Sequence, residues 1–165
     1  MPLSSNPRFM NLAGFLACVA LLAYAYYTQF HLGLEPCPLC IFQRLGVMAA
    51  GGFFLLAAIH GPGVAGRRIY GVLIALSALA GGAVSAWHVY LQQLPSDQVP
   101  ACGPGLNYML DVFSFGETLR MVFTGSGECA VSDWSFLGLS MPAWVLIAFV
   151  VLGVFGVWNN WRKPQ

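Results

Sequence analysis

Residues 9–27, 41–59, 69–87 and 142–158 form four apolar stretches that hold a single charged side chain between them, Arg44. A helix rises 1.5 Å per residue, so about 20 such residues cross the roughly 30 Å hydrocarbon layer of a bilayer. Each stretch has a reason to stop. His60-Gly61-Pro62-Gly63 breaks the second, since proline lacks an N–H and glycine is costly inside a helix. Pro142 suits the first turn of the fourth, where its missing N–H is harmless. The first stretch follows Arg8 as a signal peptide would. However, its apolar core exceeds the usual 7–15 residues and runs into Tyr24, Tyr26 and Tyr27 instead of a small-residue cleavage site, so it is expected to be retained. The expectation is a single all-α integral membrane domain over residues 1–165, built as a four-transmembrane-helix bundle. The alternatives fail on charge. Only 8% of residues are charged, against roughly 25% in soluble domains, and 58% are hydrophobic, which also excludes disorder. A net charge of +1 leaves no basic face for nucleic acid.

The few charges orient the bundle. Arg8 precedes the first span, Arg67 and Arg68 separate the second and third, and Arg162 and Lys163 follow the fourth. With four spans these places share one side, so five of the seven basic residues lie there, and the positive-inside rule makes that side cytoplasmic with both termini on it. The other side then carries a short loop, about 28–40, and a long one, about 88–141, which together hold all six acids and Arg120. Within the long loop, residues 106–113 and 119–123 are apolar but short. They read either as interfacial helices lying on the membrane or as a loop packed on the end of the bundle. Small residues recur at helical spacing, Ala78/Gly82/Ala86 and Gly46/Ala50, which lets helices approach closely in lipid.

Four of the five cysteines fall on the side opposite the basic residues: Cys37 and Cys40 in the short loop, Cys102 and Cys129 in the long one. Cys18 lies mid-span and behaves as a small hydrophobe. An even number on an oxidising side points to two disulfides, and four cysteines allow three pairings. Three readings compete: two static staples, a zinc-type site of four thiolates, or dithiol–disulfide exchange. Zinc sites favour two close ligand pairs, which Cys102 and Cys129 do not form in sequence. Cys37-Pro38-Leu39-Cys40 has the C-x-x-C spacing of redox dithiols. Cys40 stands where a helix begins, so the positive end of the helix dipole faces it, and Arg44 follows one turn on along the same face. Both favour the thiolate, the reactive form. An arginine inside a span marks a functional site by default, against the plainer reading of a side chain snorkelling to headgroups. His88 closes the third span on the same outer side.

These residues resemble the DsbB family, the bacterial inner-membrane quinone-dependent thiol oxidases. The resemblance rests on Pro36-Cys37-Pro38-Leu39-Cys40-Ile41-Phe42-Gln43-Arg44, on His88-Val89-Tyr90-Leu91-Gln92, on Gly127-Glu128-Cys129-Ala130 and on Trp134–Pro142, in this order. It implies that a reduced DsbA-like thioredoxin-fold oxidase of the periplasm attacks a Cys102–Cys129 disulfide, with the mixed disulfide at Cys102. Cys129 would then be taken up by Cys37, and the electrons would end on Cys37 and Cys40. Cys40 would pass them to a membrane quinone, ubiquinone or menaquinone, held by Arg44 and His88, with Trp134 nearby and no metal. A vitamin K epoxide reductase-like enzyme is the related alternative. The C-x-x-C ahead of Arg44 at the head of the second span, and not near the chain end, speaks against it.

Overall fold

The computed structural model describes residues 6–95, 98, 106–125, 127–130 and 134–162. The elements run α1 (Pro7–Leu32), α2 (Pro38–His60), α3 (Val64–Gln92), α4 (Leu106–Val112), α5 (Phe115–Thr124), α6 (Gly127–Ala130), β1 (Ser135–Phe136), β2 (Leu139–Ser140) and α7 (Met141–Trp161). Among the described residues, α1, α2, α3 and α7 are the four helices long and apolar enough to cross a membrane.

These four helices outrun the apolar stretches that announce them. α3 has 29 residues, about 43 Å at 1.5 Å each, well beyond the hydrocarbon thickness. Hydropathy registers only the part a helix spends in lipid, whereas the backbone continues until a capping residue stops it. Residues 28–32, expected in the short loop, are therefore helical, as are residues 88–92, expected in the long loop. The stops are local. The Asn6 side chain accepts from the Arg8 N–H at 3.0 Å and caps α1. Gly33 and Gly61 end α1 and α2 at φ of 66° and 54°, a left-handed conformation that glycine adopts without a Cβ penalty.

α3 packs along both α2 and α7, and α1 packs along α2. The main core joins Val47, Ala50 and Phe54 of α2, Ile74 and Ala78 of α3, and Phe149 and Leu152 of α7. Phe149 fills a slot that exists because two helices lack side chains there. A Cβ on Gly46 would lie 3.0 Å from Phe149 Cζ, and one on Gly81 would overlap the ring outright. The expected Ala78/Gly82/Ala86 row thus holds only in part. Ala78 and Gly82 are buried, Ala86 is exposed, and the buried row continues instead through Ser85 to His88. Cys18 is buried in this core, against the Gly51 backbone.

A second core caps one end of the bundle. Leu39 at the start of α2 and Leu91 at the end of α3 meet Met109, Val122 and Cys129 from α4, α5 and α6. Of the two readings of the long loop, packing on the bundle end is what these side chains show. Tyr108 of α4, and Met121 and Phe123 on either flank of Val122 in α5, nonetheless stay exposed. Ser114 and Glu117 form a capping box that starts α5. At the opposite end α1 is tied to α7 by buried amides. Asn11 Oδ1 accepts from Asn159 Nδ2 at 3.0 Å and Asn160 Nδ2 at 3.1 Å, and Asn11 Nδ2 donates to Asn160 Oδ1 at 3.1 Å.

Candidate active site

The site is built on the first turn of α2. Cys37 is the N-cap residue, with extended backbone at φ −65° and ψ 164°, and Pro38 is the first helical residue. Cys40 lies two residues further on, in the first turn. The first intrahelical bond, Ile41 N–H to Cys37 carbonyl at 3.3 Å, leaves the N–H groups of Leu39 and Cys40 ahead of it without an intrahelical acceptor. The Sγ atoms of Cys37 and Cys40 are 3.2 Å apart as a hydrogen-bonded pair.

The long loop brings a third sulfur to this turn. Cys129 on α6 is 1% exposed, and its sulfur, the Cys37 sulfur and a His88 ring nitrogen all lie within 4.8 Å of one another. Cys102 lies outside the described residues. His88, 2% exposed, is the hinge of the group. Its Nε2 is 3.1 Å from the Cys129 carbonyl and 3.8 Å from Cys37 Sγ, while its Nδ1 is 3.0 Å from Gln43 Nε2. A carbonyl only accepts and an amide nitrogen only donates, so both neighbours demand the same tautomer, with the proton on Nε2. That proton faces Cys129 O and Cys37 Sγ. A Cys–Cys–His trio at this spacing is also a possible metal set, but in this arrangement His88 offers the trio a proton and no lone pair.

Beside the sulfurs lies a cavity of about 610 Å³ between α1 and α7. Its floor carries Cys37, Cys40, Gln43, Arg44 and His88, and its walls are apolar, among them Leu21, Val145 and Ala148. Arg44 is held by α1. Nη1 donates to Gln29 Oε1 at 2.6 Å, Nη2 donates to the Ala25 carbonyl at 3.1 Å, and the guanidinium carbon stands 4.9 Å over the Tyr26 ring. Three residues within little more than one turn of α1 thus hold one cation at the cavity floor. Trp134 lines the same cavity and meets Tyr24 edge to face, ring centroids 6.3 Å apart.

Residues 7–159 match the family profile of Disulfide bond formation protein DsbB. The chain belongs to the DsbB family. Relatives named Disulfide bond formation protein B include one from Methylococcus capsulatus, 55% identical over 97% of this chain and 98% of the relative. One from Nitrosococcus oceani is 53% identical over 94% and 92% of the two chains, and one from Hahella chejuensis is 48% identical over the whole of both. This DsbB-family chain is therefore a multi-pass membrane protein of disulfide bond formation, and disulfide-exchange partners follow from that membership.

Three residues at the DsbB site escaped the sequence reading. Gln43 is polar within a span, and its neighbour Arg44 drew the attention that Gln43 shares. Gln29 and Ala25 act on Arg44 from a different helix, and nothing in the sequence relates positions 15 and 19 residues apart. The α6 turn and the β1–β2 hairpin, with Ser135 paired to Ser140 and Phe136 to Leu139, were also not foreseen. Both are too short to leave a periodic signal.

Proposed function

We propose that this chain is a protein-dithiol:quinone oxidoreductase of the bacterial inner membrane. Its termini are cytoplasmic, and its two cysteine pairs serve a periplasmic DsbA-like oxidase. The observation that supports this most is the position of Cys37, next to Cys40 on one side and Cys129 on the other, at the edge of an apolar cavity.

The sulfur steps balance as exchanges. A partner thiolate attacks Cys102 of a Cys102–Cys129 disulfide, forms the mixed disulfide and releases Cys129 as thiolate. Cys129 attacks Cys37 of a Cys37–Cys40 disulfide and releases Cys40 as thiolate. The partner's second thiol then displaces Cys102, which closes back on Cys129 and releases Cys37. The partner has lost two electrons and two protons, and Cys37 and Cys40 hold them. The His88 Nε2–H facing Cys37 stabilises negative charge on that sulfur as it leaves. The N–H groups at the α2 start that lack an intrahelical acceptor, together with Arg44, would do the same for Cys40.

The cavity fits a quinone head: about 610 Å³ falls inside the usual 300–1,000 Å³ of ligand sites, with apolar walls and a few polar groups at one end. A quinone supplies the two-electron, two-proton sink. DsbA-type oxidants stand near about −120 mV, and about 30 mV equals 1.4 kcal/mol for a two-electron couple, so their reoxidation needs a strong acceptor. Arg44 would hold the head through an oxygen and His88 would line its seat on the cavity floor, while Leu21, Val145 and Ala148 would exclude water.

Turnover of a reduced DsbA-like protein with added ubiquinone, measured against single serine variants of Cys37, Cys40, Cys102 and Cys129, tests the scheme. Each variant is expected to lose turnover. Full activity of Cys37→Ser or Cys40→Ser removes it, and cysteines that stay oxidised when quinone is withheld would instead mark two static staples.

A further inference from the structure

The end of the bundle remote from the cysteines has a cavity of its own, of about 280 Å³, lined by Asn6, Arg8, Gly61, Gly63, Val64 and Arg67 among others. Three features of it point to an anion. The first is Arg67, 7% exposed, whose Nη2 donates to the carbonyls of Asn159 at 2.9 Å and Arg162 at 3.1 Å while its buried Nε has no partner among the described residues. The other such atom among the described residues, Asn159 Oδ1, is not part of the cavity lining. A buried guanidinium N–H left unpaired costs far more than an exposed one, so an acceptor drawn in beside Arg67 would stabilise it.

The second feature is the start of α3. Its N-cap is Gly63, which has no side chain to accept from the first N–H groups, and no side-chain cap bond is formed. Helix starts of this kind attract negative charge. The third is the balance of charge. Arg8 lies in the same cavity, its guanidinium against the Gly61 backbone. No Asp or Glu occurs in residues 1–27, 41–87 or 142–165, so no carboxylate side chain from the membrane helices at this end answers the two arginines.

We propose that this cavity binds one phosphate group, gripped by Arg67 and Arg8 and by the first N–H groups of α3. Arginine matches phosphate oxygens with a planar fork of donors. The position, where α1, α2 and α3 leave the bilayer, makes the phosphate of an anionic phospholipid the favoured source, and basic pockets between membrane helices are a known form of headgroup site. The bound phosphate would bridge the start of α1 and the α2–α3 turn beside Asn11.

The test uses the full-length protein in a neutral detergent, followed by native mass spectrometry and by thermal unfolding. Dioleoylphosphatidylglycerol, dioleoylphosphatidylcholine and inorganic phosphate are titrated separately. The expected result is saturable retention of one phosphatidylglycerol with a raised Tm, in preference to phosphatidylcholine, and retained in millimolar phosphate. Arg8→Gln, on an exposed side chain, should weaken this binding about tenfold, as expected for one lost charge-assisted hydrogen bond. Arg67→Lys keeps the charge and loses the fork, and should weaken it comparably. Inorganic phosphate that stabilises alone and displaces the lipid would uphold the phosphate site and assign it to a soluble anion. Equal retention of the two lipids without a phosphate effect, or an Arg8→Gln protein that binds as the parent does, overturns the proposal.

Discussion

Arg44 gives the sharpest test of the quinone reading, because the structure separates what it does from what holds it. Its guanidinium lines the cavity while Gln29 Oε1 at 2.6 Å, the Ala25 carbonyl at 3.1 Å and the Tyr26 ring at 4.9 Å fix it from α1. Arg44→Met keeps an unbranched stem and removes every donor. If the cation holds a quinone oxygen, one charge-assisted hydrogen bond is lost, about 1.5–3 kcal/mol, which is about 10- to 150-fold in KM for quinone. The cysteines are untouched, so kcat at saturating quinone should fall less than kcat/KM. Gln29→Leu removes one of three anchors and leaves the cation in place, so KM should rise only about two- to fivefold, the scale of a partly compensated hydrogen bond. Because Gln29 would act only through Arg44, the double variant should match Arg44→Met alone. The assay is ubiquinone-dependent oxidation of a reduced partner in proteoliposomes, with KM and kcat resolved. A KM for Arg44→Met within twofold of the parent, or a Gln29→Leu effect that simply multiplies with it, refutes the reasoning.

Four further outcomes follow from other parts of the molecule. Gln43→Leu strips His88 Nδ1 of its donor and frees the ring from one tautomer, so transfer between Cys129 and Cys37 should slow about fivefold or more and its pH profile should change shape. An unchanged profile would leave Gln43 a packing residue. Phe149→Ala empties the slot formed by Gly46 and Gly81 and should cost about 3 kcal/mol in denaturant unfolding, while Leu79→Ala, at 69% exposed, should cost little. Equal losses would mean the slot adds nothing. Maleimide trapping after quinone depletion should label Cys37 and Cys40, whereas no gain in labelling would favour permanent disulfides. The bonds from Ser114 hold the exposed Glu117 carboxyl below its ordinary value of 4.5. A depressed value stabilises the folded state fully above the ordinary value, and that contribution is lost as pH falls through the lowered one. Amide exchange in α5 should therefore speed up, relative to intrinsic rates, only under acid conditions below about pH 4.5. Glu117→Gln should remove that step, and an identical step in the variant would assign it elsewhere.

What the sequence reveals follows what each level of physics leaves on it. Lipid demands long uncharged helices, so all four membrane helices were visible, and the lone intramembrane charge led directly to Arg44. The helix start placed Cys40 at the head of α2, whereas Cys37, expected with it in the short loop, is the N-cap and Pro38–Cys40 already belong to the helix. Helix ends were misplaced because polar residues such as Gln29 and His88 extend helices past the hydrocarbon, where hydropathy is silent. The meeting of Cys129 with Cys37 lies beyond any local pattern, since it depends on Met109 and Val122 packing against Leu39 and Leu91. Likewise no local pattern joins Asn11 to Asn159 and Asn160, almost 150 residues away, and only folding makes them one buried amide cluster.

The placement of the two α2 cysteines explains why one helical turn suffices for two different exchanges. An N-cap residue has non-helical backbone, so the Cys37 side chain can leave the helix toward α6, His88 and Cys129. Cys40 is already within the helix and stays at the cavity floor one turn from Arg44. The two sulfurs still face each other, 3.2 Å apart. Moving the pair one residue later would put both sulfurs inside the helix and carry Cys37 away from α6. Inserting one alanine between Cys40 and Arg44 would turn the arginine by about 100° off the cavity face while leaving the cysteine pair intact. Under the proposed route the first change should block thiol transfer from Cys129, and the second should block only the reoxidation of Cys37 and Cys40.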